Sequence, residues 1–247
     1  MSYRWNISAF AAGYDVAAAL IHPHYTKVQD QLLEMLASRL EQGGWVADLG
    51  GGSGRLGEKI LERFPLAKMI VVDQSEPFLA IAERRMTRFQ GRGRCVQARL
   101  QDDWRTAFPE PPIALVSTSA IHHLEPAEKQ SVYQRCFDAL APGGMLLNGD
   151  EVRPEDDTAY RNLVERWAAH MNRLIEDRRI PEAMNDVLRQ WITRNVERFG
   201  EPRKSGDDCH ETLATQLDYL RQCGFQEVGC PWQQELWAIL AATKGQA

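Results

Sequence analysis

Residues 45–54 read W-V-A-D-L-G-G-G-S-G, and the reading of this stretch decides the fold. The apolar pair Val46 and Ala47 ends at an acid, Asp48. Glycines follow at alternate positions, Gly50, Gly52 and Gly54, with Gly51 between the first two. Beyond them Leu56, Ile60, Leu61 and Phe64 recur at helical spacing until Pro65 closes the run. A strand that passes through a glycine turn into a helix brings bare backbone close to a ligand, because a residue without Cβ adopts positive φ and raises no wall. The stretch reads as a nucleotide-type binding turn.

The next strand narrows the choice of ligand. Residues 69–72 are an unbroken apolar run ending at Asp73, which suits a central parallel strand covered on both faces. Gln74 follows, and Ser75 stands as the cap of a further helix. Asp73 lies 25 residues after Asp48, so the two acids end adjacent strands of one βαβ unit. A carboxylate there accepts hydrogen bonds from ribose hydroxyls. A dinucleotide fingerprint, G-x-G-x-x-G, has its third glycine three positions after the second; here the interval is two. S-adenosylmethionine has no pyrophosphate to cradle, but its ammonium needs an anion and its carboxylate needs amide donors. Asp48 and the turn amides supply both. The pattern D-x-G-x-G-x-G resembles the first motif of the class I S-adenosylmethionine-dependent methyltransferases.

The remaining chain extends the resemblance. A third strand is read over 94–100. Where the family places an acid against adenine this chain has Arg99, so the contact is assigned to Leu100, Gln101 and Asp102. Residues 113–116 form a fourth strand, and Ser117, Thr118, His122 and His123 leave its carboxyl end. S-x-x-x-H-H-L resembles the family's fourth motif. In an open α/β sheet the ligand crevice lies outside the carboxyl ends of the strands, at the topological switch point. A helix over 126–140 stops at A-P-G-G, and a fifth strand, M-L-L-N-G-D-E-V, delivers Asp150 and Glu151 to the same edge. A last helix ends at Gly224. Two strands turning around Gln233 and Gln234 then resemble the closing antiparallel hairpin that NAD-binding domains lack.

Two segments flank or interrupt this plan. Residues 1–44 are helical, with Val28, Leu32, Leu33, Leu36 and Leu40 in one stripe. The resemblance implies that this segment folds over the cofactor, that Tyr14 hydrogen-bonds the methionine carboxylate, and that His22 or Tyr25 faces the substrate. Packing of the N-terminal helices is the competing reading of all three. Residues 154–208 carry two amphipathic stripes, one including Trp167 and the other Trp191, joined near 178–181. Insertions at this point form the acceptor lid in small-molecule members of the family; core or dimer surface is the alternative.

Bulk properties exclude other classes. A chain of 247 residues holds a single large α/β domain, here 1–247, and a formal net charge of −5 disfavours sequence-independent binding to nucleic acid. No apolar run reaches a membrane span and the first residues lack a signal core, so a cytoplasmic setting is expected. Five scattered cysteines without C-x-x-C spacing indicate neither a disulfide framework nor a zinc site. The expectation is an α/β, Rossmann-like fold with a seven-stranded, mostly parallel sheet, a C-terminal antiparallel hairpin and an inserted helical lid, acting as monomer or homodimer. The activity implied is methyl transfer from S-adenosyl-L-methionine to a small molecule, with His122, His123 and Glu151 as candidates for the catalytic base. A tRNA-modifying or related S-adenosylmethionine-using enzyme, a nicotinamide oxidoreductase and a non-catalytic cofactor-binding subunit are the alternatives.

Overall fold

The computed structural model describes residues 4–246. Its strands are β1 (Gly44–Leu49), β2 (Ala67–Asp73), β3 (Gly93–Gln97), β4 (Ala114–Thr118), β5 (Met145–Glu151), β6 (Gln226–Gln234) and β7 (Trp237–Thr243). They form one seven-stranded sheet in the order β3-β2-β1-β4-β5-β7-β6. The first five pair in parallel, and β7 pairs antiparallel to both β5 and β6. The seven-stranded, mostly parallel sheet with a C-terminal antiparallel hairpin expected from the sequence is therefore present.

Eight α-helices among the described residues cover the sheet: α1 (Ser8–Ile21), α2 (Tyr25–Leu40), α3 (Arg55–Arg63), α4 (Glu76–Met86), α5 (Pro126–Ala139), α6 (Asp157–Glu176), α7 (Ala183–Ile192) and α8 (Leu213–Gln222). Alternate strand residues feed two cores. Val46, Met69, Val71, Val116 and Leu147 pack with α1 to α4, α6 and α7. Ala47, Leu49, Ile70, Val72, Leu115 and Leu146 pack with α5 and α8 on the other face. The chain thus leaves β1 toward one face and β4 toward the other, and this reversal opens a crevice between their carboxyl ends.

Local chemistry accounts for the helix starts. Ser75 Oγ accepts from the Phe78 N–H at the head of α4, and Glu125 and Glu128 form a reciprocal capping box at the head of α5. The inserted helices stand where the stripes predict, with the chain reversing at Arg178 (φ 52°) before Pro181. They are built into the larger core: Trp167, Met171, Leu174 and Met184 are buried in it, and the Trp167 indole donates to the Ile21 carbonyl at 2.8 Å. α7 runs on as a π turn over Thr193–Glu197.

Two boundaries differ from the sequence reading. β3 stops at Gln97 because the chain folds back through residues 99–102, where the Arg99 N–H donates to the Asp102 carboxylate at 2.9 Å. Gln233 and Gln234 belong to β6, paired with Ala238 and Trp237, and the reversal falls at Glu235 (φ 54°) and Leu236. Pro231 sits in β6, an edge strand, beside a register shift where its missing N–H breaks no ladder. Among the described residues no helix is long and apolar enough to cross a membrane.

Candidate active site

The glycine turn is held from below by β2. The Gly50 and Gly51 N–H groups both donate to the Val72 carbonyl, at 2.8 and 3.2 Å, and the Gly52 N–H donates to Asp73 Oδ2 at 2.9 Å. These amides are occupied within the protein, so the turn offers a ligand close approach rather than the donors expected of it. Gly50 (φ 69°) admits no side chain, since a Cβ there would lie 2.4 Å from that of Ala120. At Gly52 (φ 52°) the space is open as far as the Phe78 ring at 3.9 Å, which makes it the point where a ligand can pass over bare backbone.

Asp48 and Asp73 are both buried beneath this turn. Burial, reinforced by the neighbouring Asp73 carboxylate, raises Asp48 to about 7. Burial also raises Asp73, to about 6, against the lowering effect of the Ser75, Gly52 and Gln74 N–H groups. Asp73 thus spans the Gly52 and Ser75 amides, one oxygen each, with Gln74 as a third donor, and its two oxygens keep acceptor capacity to spare.

The N-terminal helix closes one side of the crevice. Asp15, which the sequence reading did not single out, accepts from Ser53 Oγ (2.5 Å), Arg55 Nε (3.0 Å) and Arg85 Nη1 (3.1 Å). Burial works against its charge, and hydrogen bonds from Arg85 and Ser53 hold its carboxyl below the usual range. This clamp fixes Tyr14 over the turn. The Tyr14 ring meets Trp5 and Phe78 edge-on, and its hydroxyl lies 2.9 Å from His22 Nε2. Of the aromatic wall of Trp5, Tyr14 and Phe78, only Tyr14 was singled out from the sequence.

The adenine candidates are less gathered. The Leu100 side chain approaches Gly50, but its carbonyl accepts from the Trp104 indole at 3.1 Å. Gln101 donates to Glu128 at 3.1 Å, and Asp102 is exposed and engaged in its own turn. Gln74 carries its carbonyl toward the Gln97 amide at 3.4 Å. Across the crevice, Ser117 Oγ donates to the Leu49 carbonyl at 2.8 Å, pinning β4 to β1. Thr118 Oγ1 is buried without a hydrogen-bond partner among the described residues.

Beyond Thr118 the structure gathers a set of histidines and acids from distant parts of the chain. Ser119 (φ 56°) donates to Glu151 Oε1 at 2.8 Å. His122 Nδ1 lies 2.6 Å from Asp150 Oδ1, while its Nε2 lies 3.2 Å from Glu151 Oε2 and 3.6 Å from Asp208 Oδ1. His210 Nε2 reaches the same Glu151 oxygen at 3.3 Å, and its Nδ1 meets the Tyr160 hydroxyl at 2.7 Å. His123 Nδ1, half-buried, lies 3.2 Å from Asp208 Oδ1. His22 Nδ1 approaches Glu151 Oε1 at 3.7 Å from the Tyr14 side, linking this group to the crevice.

Burial opposes the charge on His22, His122, Glu151 and Asp208, and the outcome is set by the partners. The Glu151 and Asp150 carboxylates hold the His122 imidazole well above its ordinary value despite its burial. Glu151 is brought down to about 2, its burial outweighed first by His122. His22, desolvated and only partly supported by Glu151, falls to about 4. His122 and Glu151 were legible from their places after β4 and β5. Asp208 and His210 were not: they belong to the irregular loop before α8, fastened here by buried Lys129, which donates to the Cys209 carbonyl and to Glu211.

Residues 46–144, which span the glycine turn and the His122–His123 pair, match the family model described as a methyltransferase domain. A carboxy-S-adenosyl-L-methionine synthase of Wolinella succinogenes is 26% identical over 219 residues, covering 86% of this chain and 81% of the relative. A trans-aconitate 2-methyltransferase of Variovorax paradoxus is 36% identical over 110 residues, 43% of this chain and 38% of its own length. The solved structure of an O-methyltransferase family protein from Burkholderia thailandensis superposes with a TM-score of 0.64 over 94% of this chain at 17% identity. This chain spans 59% of that protein, and the likeness is one of fold.

Proposed function

We propose that the chain is a class I S-adenosylmethionine-dependent methyltransferase, and that it moves the sulfonium methyl of S-adenosylmethionine onto a small-molecule acceptor held at the ends of β4 and β5. The observation that carries the reading is a continuity. Asp73 Oδ2 holds the Gly52 N–H beside Phe78, Phe78 meets the Tyr14 ring, the Tyr14 hydroxyl lies 2.9 Å from His22 Nε2, and His22 Nδ1 lies 3.7 Å from Glu151, which is 3.2 Å from His122 Nε2.

In this reading Asp73 accepts the ribose hydroxyls on its free lone pairs and Asp48 faces the cofactor ammonium. Gly52 lets the cofactor pass, and Tyr14 stands over its amino-acid end. The transfer is an in-line displacement, whose needs are alignment at near-attack distance and exclusion of water. α1, α6 and α7 serve as the cover over the acceptor, and His22, Ser119, His122, His123 and Glu151 orient it. The cover of packed helices and the net charge of −5 favour a small acceptor over a nucleic acid, in a cytoplasmic enzyme acting as monomer or homodimer.

The test is incubation of the full chain with methyl-labelled S-adenosylmethionine and a small-molecule extract, read by mass spectrometry. Formation of S-adenosylhomocysteine with a labelled low-mass product is expected. Failure to bind S-adenosylhomocysteine at all in calorimetry overturns the reading. A second reading, chemistry performed on the cofactor itself, draws on the W. succinogenes relative, which aligns over most of both chains. It predicts a modified S-adenosylmethionine and no S-adenosylhomocysteine.

A further inference from the structure

Three carboxylates converge beyond Thr118. Asp150, Glu151 and Asp208 are 0%, 1% and 5% exposed. Among the described residues no lysine or arginine pairs with any of them; their ionic partners are His22, His122, His123 and His210. Buried carboxylates are stable when they meet a matching charge or coordinate a metal. We propose that His122, His210 and Glu151 form a binding site for a divalent transition-metal ion.

The spacing fits. Donors around an ion at about 2.0–2.1 Å in tetrahedral array lie about 3.3 Å from one another, and the protein supplies three of them here. His122 Nε2 and His210 Nε2 stand 3.2 and 3.3 Å from Glu151 Oε2, and the three donor atoms all lie within 4.8 Å of one another. Both histidines are oriented through their other nitrogen, as metal-ligating imidazoles are: His122 Nδ1 by the Asp150 carboxylate and His210 Nδ1 by the Tyr160 hydroxyl. Asn195 Nδ2 donates to Asp208 Oδ2 at 2.8 Å, leaving Oδ1 toward the histidines. A cavity of about 590 Å³ lined by Trp191, Arg194, Asn195, Asp207 and Asp208 reaches the edge of the group at Asp208.

A nitrogen and oxygen donor set without thiolate suits Zn²⁺, Fe²⁺ or Mn²⁺. At this end of the crevice the ion would act as a Lewis acid on an oxygen of the acceptor. The sequence reading, which looked to cysteine spacing, indicated no such site; the proposed ligands lie up to 88 residues apart (122 to 210). The proposal does not depend on which acceptor is methylated.

The test strips the full chain with a chelator and titrates Zn²⁺ by calorimetry, with metal content after separate loading with Zn²⁺, Fe²⁺ or Mn²⁺ to identify the preferred ion. Uptake of a single ion per chain is expected. His210→Ala should abolish it and Asp150→Asn should weaken it by about 10–100-fold. His24→Ala, outside the group, should bind as the parent does. Each protein is checked for S-adenosylhomocysteine binding, which certifies the fold and separates this proposal from the cofactor reading. A parent that binds S-adenosylhomocysteine but none of the three ions overturns the site, as does uptake undiminished in His210→Ala. Should His210→Ala fail to fold, the Asp150→Asn comparison decides, and unchanged affinity there is the refuting result.

Discussion

Asp48 titrates where few carboxylates do, and its removal has a pH signature that can be worked out. Its folded value is about 7; an unfolded aspartate titrates at about 3.9. A carboxyl whose folded pKa is raised contributes stability that is fully present below the unfolded value and is lost as pH rises through the folded one. At about 1.4 kcal/mol per unit, the loss reaches about 4 kcal/mol above pH 7, of which about 2 kcal/mol has accrued by pH 5.5. The amide that replaces the carboxyl in Asp48→Asn does not titrate. Asp48→Asn should therefore gain about 2 kcal/mol relative to the parent between pH 5.5 and pH 8, or about 4–8 °C in Tm for a chain of this size. Asp73, present in both proteins, largely cancels from the comparison. The assay is thermal unfolding of the cofactor-free parent and variant at both pH values. A functional counterpart follows, because only ionised Asp48 pairs with the cofactor ammonium. S-adenosylhomocysteine should bind the parent more tightly at pH 8 than at pH 6, and the variant equally at both. A Tm difference between variant and parent that is the same at pH 5.5 and pH 8 would refute the assignment of a raised, buried Asp48.

Asp73→Ala removes acceptors from the ribose and from the Gly52 and Ser75 amides together. Binding of S-adenosylhomocysteine should weaken by about 2 kcal/mol or more, and an unchanged dissociation constant in a folded variant would sink the role. Gly52→Val places a branched residue at φ 52° with no protein atom nearer than the Phe78 ring, so the clash should be with ligand alone. Cofactor binding should vanish at a backbone-strain cost of about 1–2 kcal/mol; retained binding would mean that the turn does not touch the cofactor. If residues 154–208 cover the acceptor, their amide exchange should slow on adding S-adenosylhomocysteine with acceptor. Protection that follows protein concentration instead would assign them to a subunit interface.

The layout of the sheet was readable because its causes are local. Unbroken apolar runs closed by Asp48 and Asp73 mark buried parallel strands. A glycine turn marks a close approach, and Ser75 or Gly224 marks a helix end; each is a statement about a few consecutive residues. The same local rules misplaced the β6–β7 turn by two residues, since Gln233 and Gln234 carry no turn chemistry and the pairing of Glu151 with Trp237 decides where β7 starts. What the turn amides do was not local either, for Val72 and Asp73 reach them from the next strand and take up their donors. The acceptor end depended most on tertiary structure. His122 and Glu151 could be placed at strand ends from the sequence. Asp208 and His210 join them only because Lys129 and the backbone of residues 122–123 fasten the loop before α8 across them. Sequence determined the elements and the cofactor edge, where spacing along one chain segment carries the signal. Convergence of side chains about 85 residues apart is set by packing, and packing leaves no period in the sequence to read.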